Sequence, residues 1–115
     1  MEYFKPGNGR IDLYFDSLDV LHCPHCGGNN LHHEIVTVYS RKEDADQTLE
    51  TRVAGRIAEC AIVPSKISLN PSSRRDGVSI TFSCEGCPSR LELTLAQHKG
   101  ETFIEWRRPR RRVAA

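Results

Sequence analysis

Four of the five cysteines in this 115-residue chain fall into two pairs with a two-residue spacer, Cys23-Pro24-His25-Cys26 and Cys84-Glu85-Gly86-Cys87. Thiolates are soft ligands, and a Cys-x-x-Cys turn aims two sulfurs at one point. Two such turns complete the tetrahedron that zinc takes. Gly27 and Gly28 follow the first pair, Pro88 follows the second, and Gly86 sits inside it. Glycine reaches the positive φ angles that such a knuckle requires. Cys23, Cys26, Cys84 and Cys87 are therefore expected to hold one structural zinc ion. Four thiolates leave no open position for water, so the metal is not expected to catalyse. A dithiol redox pair would belong beside a βαβ pattern, and disulfides would suit a secreted chain; neither setting is visible here.

Other residues that could do chemistry read more blandly. His25 lies inside the first pair and His22 just before it. Residues between knuckle cysteines point away from the metal, so His25 is expected to support the site from outside. Cys60 sits among Ile57, Ala58, Ala61 and Ile62, which predicts a buried, inert thiol. Of His32, His33 and Glu34, only His32 and Glu34 share a face on a strand. His98 is expected at the surface of a turn. No Gly-rich phosphate loop, nucleophile elbow or paired carboxylates in an apolar setting occur, so no enzyme activity is expected.

The formal net charge of +1 hides an asymmetry. Residues 1–50 carry four Lys/Arg against nine Asp/Glu, whereas residues 51–115 carry twelve against six. Arg107, Arg108, Arg110, Arg111 and Arg112 crowd the end of the chain, and Arg74-Arg75 and Lys99 add cations in turn-forming segments. A planar guanidinium suits a phosphate, and arginine runs bind nucleic acid electrostatically. These eight residues are the candidate nucleic-acid contacts.

Elements must bring the two knuckles together. Leu31–Tyr39, with Ile35, Val36, Thr37 and Val38, predicts a strand. Arg41–Glu50 is charged and reads as a solvated loop. Thr51–Leu69 reads as two short strands broken at Gly55 or Pro64. Asn70–Gly77 is a loop, and Val78–Ser83 alternates at period two straight into Cys84. Leu91–Leu95 and Thr102–Trp106 form a hairpin turned at Gly100. Residues 5–10 are irregular, and Ile11–Phe15 with Val20-Leu21 is an apolar lead-in. Phe82 and Phe103 fall in apolar phase and read as core; Trp106 caps that core, and Tyr39 is a candidate for exposure. With 38% hydrophobic residues the core is modest, so a metal staple makes physical sense. The expectation is a mostly β, single small domain over residues 1–107 and a basic tail over 108–115. No membrane-length apolar run or signal pattern is seen, and the cytoplasm is the default.

Two knuckles carried on antiparallel strands resemble a zinc ribbon across residues 20–107, with an enlarged insert of 57 residues between Cys26 and Cys84. Asn70-Pro71-Ser72-Ser73-Arg74-Arg75-Asp76-Gly77, Ala96-Gln97-His98-Lys99-Gly100 and Trp106 also resemble a group of small uncharacterised zinc-ribbon proteins of bacteria and their phages. The resemblance implies the fold and brings no activity. The expected function is a zinc-stabilised binding module that contacts nucleic acid or a nucleic-acid-processing complex, with no membrane or small-molecule substrate. The alternative is a protein-interaction adaptor docking through a sheet edge or the acidic 43–50 loop, and a dithiol redox enzyme stands third.

Overall fold

In the computed structural model, which describes residues 20–109, β-branched runs separated by turn formers give six strands. They are β1 (Leu31–Ser40), β2 (Gln47–Ala54), β3 (Ile57–Pro64), β4 (Gly77–Cys84), β5 (Arg90–His98) and β6 (Glu101–Arg107), with a 3-10 turn at Ser65–Ile67. They make one antiparallel sheet in the order β3-β2-β1-β4-β5-β6. Two three-stranded meanders thus join where β1 pairs with β4. The lead-in at 5–15 and Arg110, Arg111 and Arg112 lie outside the described residues.

Two tight turns set the hairpins. Gly55 (φ 62°) opens the β2–β3 turn, and Lys99 (φ 52°) with Gly100 (φ 81°) closes β5–β6. Positive φ at both central residues of the β5–β6 turn, and at the first of the β2–β3 turn, matches each to the right-handed twist of the strands. The chain therefore breaks at Gly55, while Pro64 ends β3. The solvated loop is shorter than expected: Gln47–Glu50 already belong to β2, because Thr48 and Glu50 find strand partners in Val63 and Ala61.

The pairing register sorts the side chains into two faces, since residues directly opposite in a sheet share one. Thr37, Tyr39, Thr48, Glu50, Ser79, Glu92 and Thr94 line one face, and all are buried. The segment between β3 and β4 crosses this polar face and bonds to it. Ser68 Oγ donates to Glu50 Oε2 at 2.7 Å, Ser72 Oγ to the Gln97 carbonyl at 2.7 Å, and Arg107 Nη2 to the Leu69 carbonyl at 2.6 Å. The other face carries Val36, Val38, Leu49, Val53, Ile62, Val78, Ile80, Leu93, Leu95 and Ile104. Val38, Leu49, Val53, Ile62 and Ile104 are all exposed. Among the described residues the usual assignment is inverted: the polar face is covered and the apolar face is left exposed.

Among the described residues, the packed part of the apolar face is its knuckle end. Cys23, Leu91 and Trp106 are buried there, with Leu21, Leu31, Phe82 and Leu93 against them. Phe82 and Trp106 meet edge to face, centroids 5.7 Å apart, a geometry that aromatic quadrupoles favour. A bulge in β1 between His33 and Val36 shifts its register against β4. The shift lets Leu31 at one end and Val36 and Val38 further on occupy the same face.

Three expectations are corrected. Cys60 is exposed, because β3 is the outer strand and its side chain points to the face that no described segment crosses. Phe103 is 39% exposed; its register partner Ala96 puts it on the face opposite Trp106. Tyr39 is buried at 4% exposure, since it points to the covered polar face.

Candidate metal centre

The first knuckle precedes β1 and the second links β4 to β5, so pairing β1 with β4 brings the two together. Leu31 stands opposite Cys84, and the Glu85 N–H donates to the Asn30 carbonyl at 3.1 Å. Within the first knuckle the Cys23 N–H donates to the Gly28 carbonyl at 2.7 Å, and the Gly27 N–H to the Cys23 carbonyl at 2.9 Å. Gly27 has φ 75°, the left-handed conformation that a residue with a side chain adopts at a cost.

The four sulfurs of Cys23, Cys26, Cys84 and Cys87 lie within 4.8 Å of one another. Cys23 Sγ is 3.8 Å from Cys87 Sγ, and Cys26 Sγ is 3.6 Å from Cys84 Sγ. A regular tetrahedron with metal–sulfur bonds of about 2.3 Å has edges of about 3.8 Å, so the set can hold one metal ion. Backbone N–H groups already point at the sulfurs: His25 to Cys23 at 3.4 Å, Gly28 to Cys26 at 3.4 Å, and Gly86 to Cys84 at 3.3 Å. Such donors favour thiolates over thiols. The thiols are unequal without a cation. Burial pushes Cys23 up to about 12, whereas the Ser89 hydroxyl and then the Ser89 N–H hold Cys87 down at about 7. A divalent ion draws all four to the thiolate form.

Space around the cluster is tight. A β-carbon at Gly86 would lie 3.2 Å from Cys26 Sγ and 3.8 Å from Cys84 Sγ, and one at Gly28 would lie 3.3 Å from Cys26 Sγ. The histidines fall outside the sulfur group. His22 Nδ1 donates to the Gly27 carbonyl at 2.9 Å, which braces the knuckle. His25 is exposed, and His32 pairs through Nε2 with the Glu85 carboxylate between the two cysteines of the second knuckle. That second contact was not foreseen; the spacing of His32 from Glu85 gives no hint of it until β1 and β4 are paired.

Three of the candidate nucleic-acid contacts among the described residues are taken up by carboxylates. Arg74 forks onto Asp44, Nε to Oδ1 at 2.8 Å and Nη2 to Oδ2 at 2.6 Å, and reaches Glu43 at 3.1 Å. Arg75 Nη2 donates to Glu43 Oε1 at 2.6 Å. The arginine loop and the acidic loop thus hold each other, and the Arg74 guanidinium keeps the Asp44 carboxyl below the usual range. Arg107 is ion-paired with Glu92, with side chains only 17% and 8% exposed. Lys99 sits exposed on the β5–β6 turn and Arg108 exposed after β6. No family model, curated protein or solved structure matches this chain. Among the described residues, no helix is long and apolar enough to cross a membrane.

Proposed function

We propose that this chain is a zinc-stapled protein-interaction module that docks a partner on the open apolar face of its sheet. The observation that carries the reading is the inverted sheet: Val38, Leu49, Val53, Ile62 and Ile104 lie exposed, while Thr37, Glu50, Ser79 and Glu92 on the other face are buried. Exposed apolar side chains gathered on one surface mark an interaction site. Zinc is the ion chosen for four thiolates in a closed tetrahedron. It would fasten the end of β4 to the segment just before β1 and so hold together the central strand pair on which both meanders rest. The test places a photo-crosslinking residue at Leu49, on the apolar face, or at Lys42, in the loop. Crosslinking to one protein species from Leu49 alone supports the reading. Equal crosslinking from both positions, or none from Leu49, removes it.

The nucleic-acid reading keeps one support, the arginine run that begins beyond β6 with Arg108 and continues through Arg110, Arg111 and Arg112. Arg74, Arg75 and Arg107 are engaged by carboxylates, and a phosphate would have to displace them. With four arginines engaged, affinity for DNA or RNA falls about a hundredfold between 50 and 200 mM salt. Fluorescence anisotropy with and without residues 108–115 measures it.

A further inference from the structure

The two outer strands of the sheet are not alike. β6 carries Glu101, Glu105 and Arg107 and runs into Arg108-Pro109, charges and a proline of the kind that keep an edge from pairing. β3 reads Ile-Ala-Glu-Cys-Ala-Ile-Val-Pro. Its single charge, Glu59, stands opposite Arg52 of β2. Ile57 and Ile62 are 63% and 67% exposed, on opposite faces of the strand. Among the described residues β3 is therefore an unguarded edge.

Its free hydrogen-bonding groups can be assigned. Gly55-Arg56 is a two-residue turn closed by the pair Ala54 and Ile57. In such a hairpin the closing pair exchanges both backbone hydrogen bonds, and hydrogen-bonded pairs then recur at every second position. Ile57, Glu59, Ala61 and Val63 thus spend their N–H and C=O groups on β2. Ala58, Cys60 and Ile62 point theirs outward. The 3.5 Å contact of Thr51 Oγ1 with Cys60 Sγ agrees, since side chains approach most closely in the pairs that lack backbone bonds.

We propose that β3 pairs antiparallel with β3 of a second copy about a twofold axis at Cys60, making one continuous sheet. Twofold symmetry requires each residue to face an equivalent one on the same side of the sheet. Centring on Cys60 sets Ala58 against the second copy's Ile62, Cys60 against Cys60, and Ile62 against Ala58. All three outward-pointing residues are then paired, in about six ladder bonds. From 58 to 62 each larger side chain meets a small one: Ile62 faces Ala58 and Glu59 faces Ala61. Moving the centre to Glu59 would set two Glu59 carboxylates directly opposite each other, which is destabilising, and moving it to Ala61 would set Ala58 against Pro64 and lose ladder bonds. Moving it to Ile62 would bring in Pro64, which has no N–H to donate. Self-complementarity about one residue is what an isologous interface needs and what an unrelated strand would have to match by chance. The ladder bonds lie on the backbone edge of β3, whereas Val38, Leu49 and Val53 lie on the apolar face, with Ile62 common to both, so variants at the edge backbone and at Leu49 let the two readings fail independently.

A strand-to-strand contact of this length is smaller than a standard interface, so dissociation constants of about 10–100 µM are expected. Sedimentation equilibrium of the zinc-loaded full chain from 10 µM to 1 mM reads the dimer. Cys60→Pro and Ala58→Pro each remove one outward N–H without touching the bonds to β2 or the large side chains of the apolar face. Each is expected to weaken dimerisation at least tenfold, with zinc content and circular dichroism unchanged. A short bis-maleimide should join Cys60 to Cys60, as located by peptide mass spectrometry. A wild-type chain that stays monomeric at 1 mM overturns the proposal. So does a dimer that survives both substitutions, or one broken by Leu49→Lys but not by Cys60→Pro, which would put the contact on the apolar face instead.

Discussion

Replacing Glu92 with alanine should destabilise the zinc-loaded protein by about 3 kcal/mol, because it leaves a largely buried guanidinium without its carboxylate. The Glu92 side chain is 8% exposed and that of Arg107 is 17% exposed. Arg107 also donates to the Leu69 carbonyl at 2.6 Å, which ties β6 to the crossing segment over the polar face. One hydrogen bond to a carbonyl does not replace the lost counter-charge. For a chain of this size about 3 kcal/mol corresponds to a fall in melting temperature of about 10–20 °C. Arg107→Ala should cost a similar amount by stranding Glu92 beneath the same segment. The double variant Glu92→Ala/Arg107→Ala should cost less than the two singles together, with a coupling of about 1–3 kcal/mol. Differential scanning calorimetry or urea unfolding of the four proteins, each at saturating zinc, completes the cycle. Single substitutions that cost under about 0.5 kcal/mol, within the range of ordinary surface changes, would refute the argument. So would a cycle with no coupling. The outcome also bears on function. If Arg107 holds the fold, its loss reduces the amount of folded protein, and any effect on nucleic-acid binding follows from that.

Cys84→Ser should abolish stoichiometric metal binding and unfold the knuckle end of the sheet, as measured by elemental analysis and circular dichroism. A single hydroxyl cannot replace a thiolate in this set, and metal-binding free energy is folding free energy in small domains. Acidification should release the metal, since protons compete for the same sulfurs; a chromogenic chelator titrated from pH 8 downward should take up zinc more readily at each step. Gly86→Val should weaken metal affinity at least tenfold in a chelator competition, because its β-carbon alone would come within 3.2 Å of Cys26 Sγ and the branched carbons have less room still. A maleimide dye should label Cys60 rapidly while the metal stays bound, as its thiol is exposed; labelling only after chelation would contradict the exposure of β3.

The four cysteines could be grouped before any fold was known, because metal coordination prescribes ligand type and local spacing, and both are properties of short stretches of chain. The same holds for Gly100 in its hairpin and for the alternation of Val78–Ser83. Hydrophobic phase also read Phe82 as core and Trp106 as its cap, but it read Phe103 as core too, which lies exposed on the other face. What the local pattern could not contain was the pairing of β1 with β4. That pairing alone sets Glu43 and Asp44 beside Arg74 and Arg75, turning two separate charge clusters into one mutually neutralised contact. It also decides which strand is left outermost. Cys60 has apolar neighbours in sequence, and sequence neighbours on a strand alternate between faces, so they say nothing about whether a second layer covers either one. Here the chain crosses the polar face and leaves the apolar face open. Burial is a property of layers, and layers exist only once the strands have been ordered.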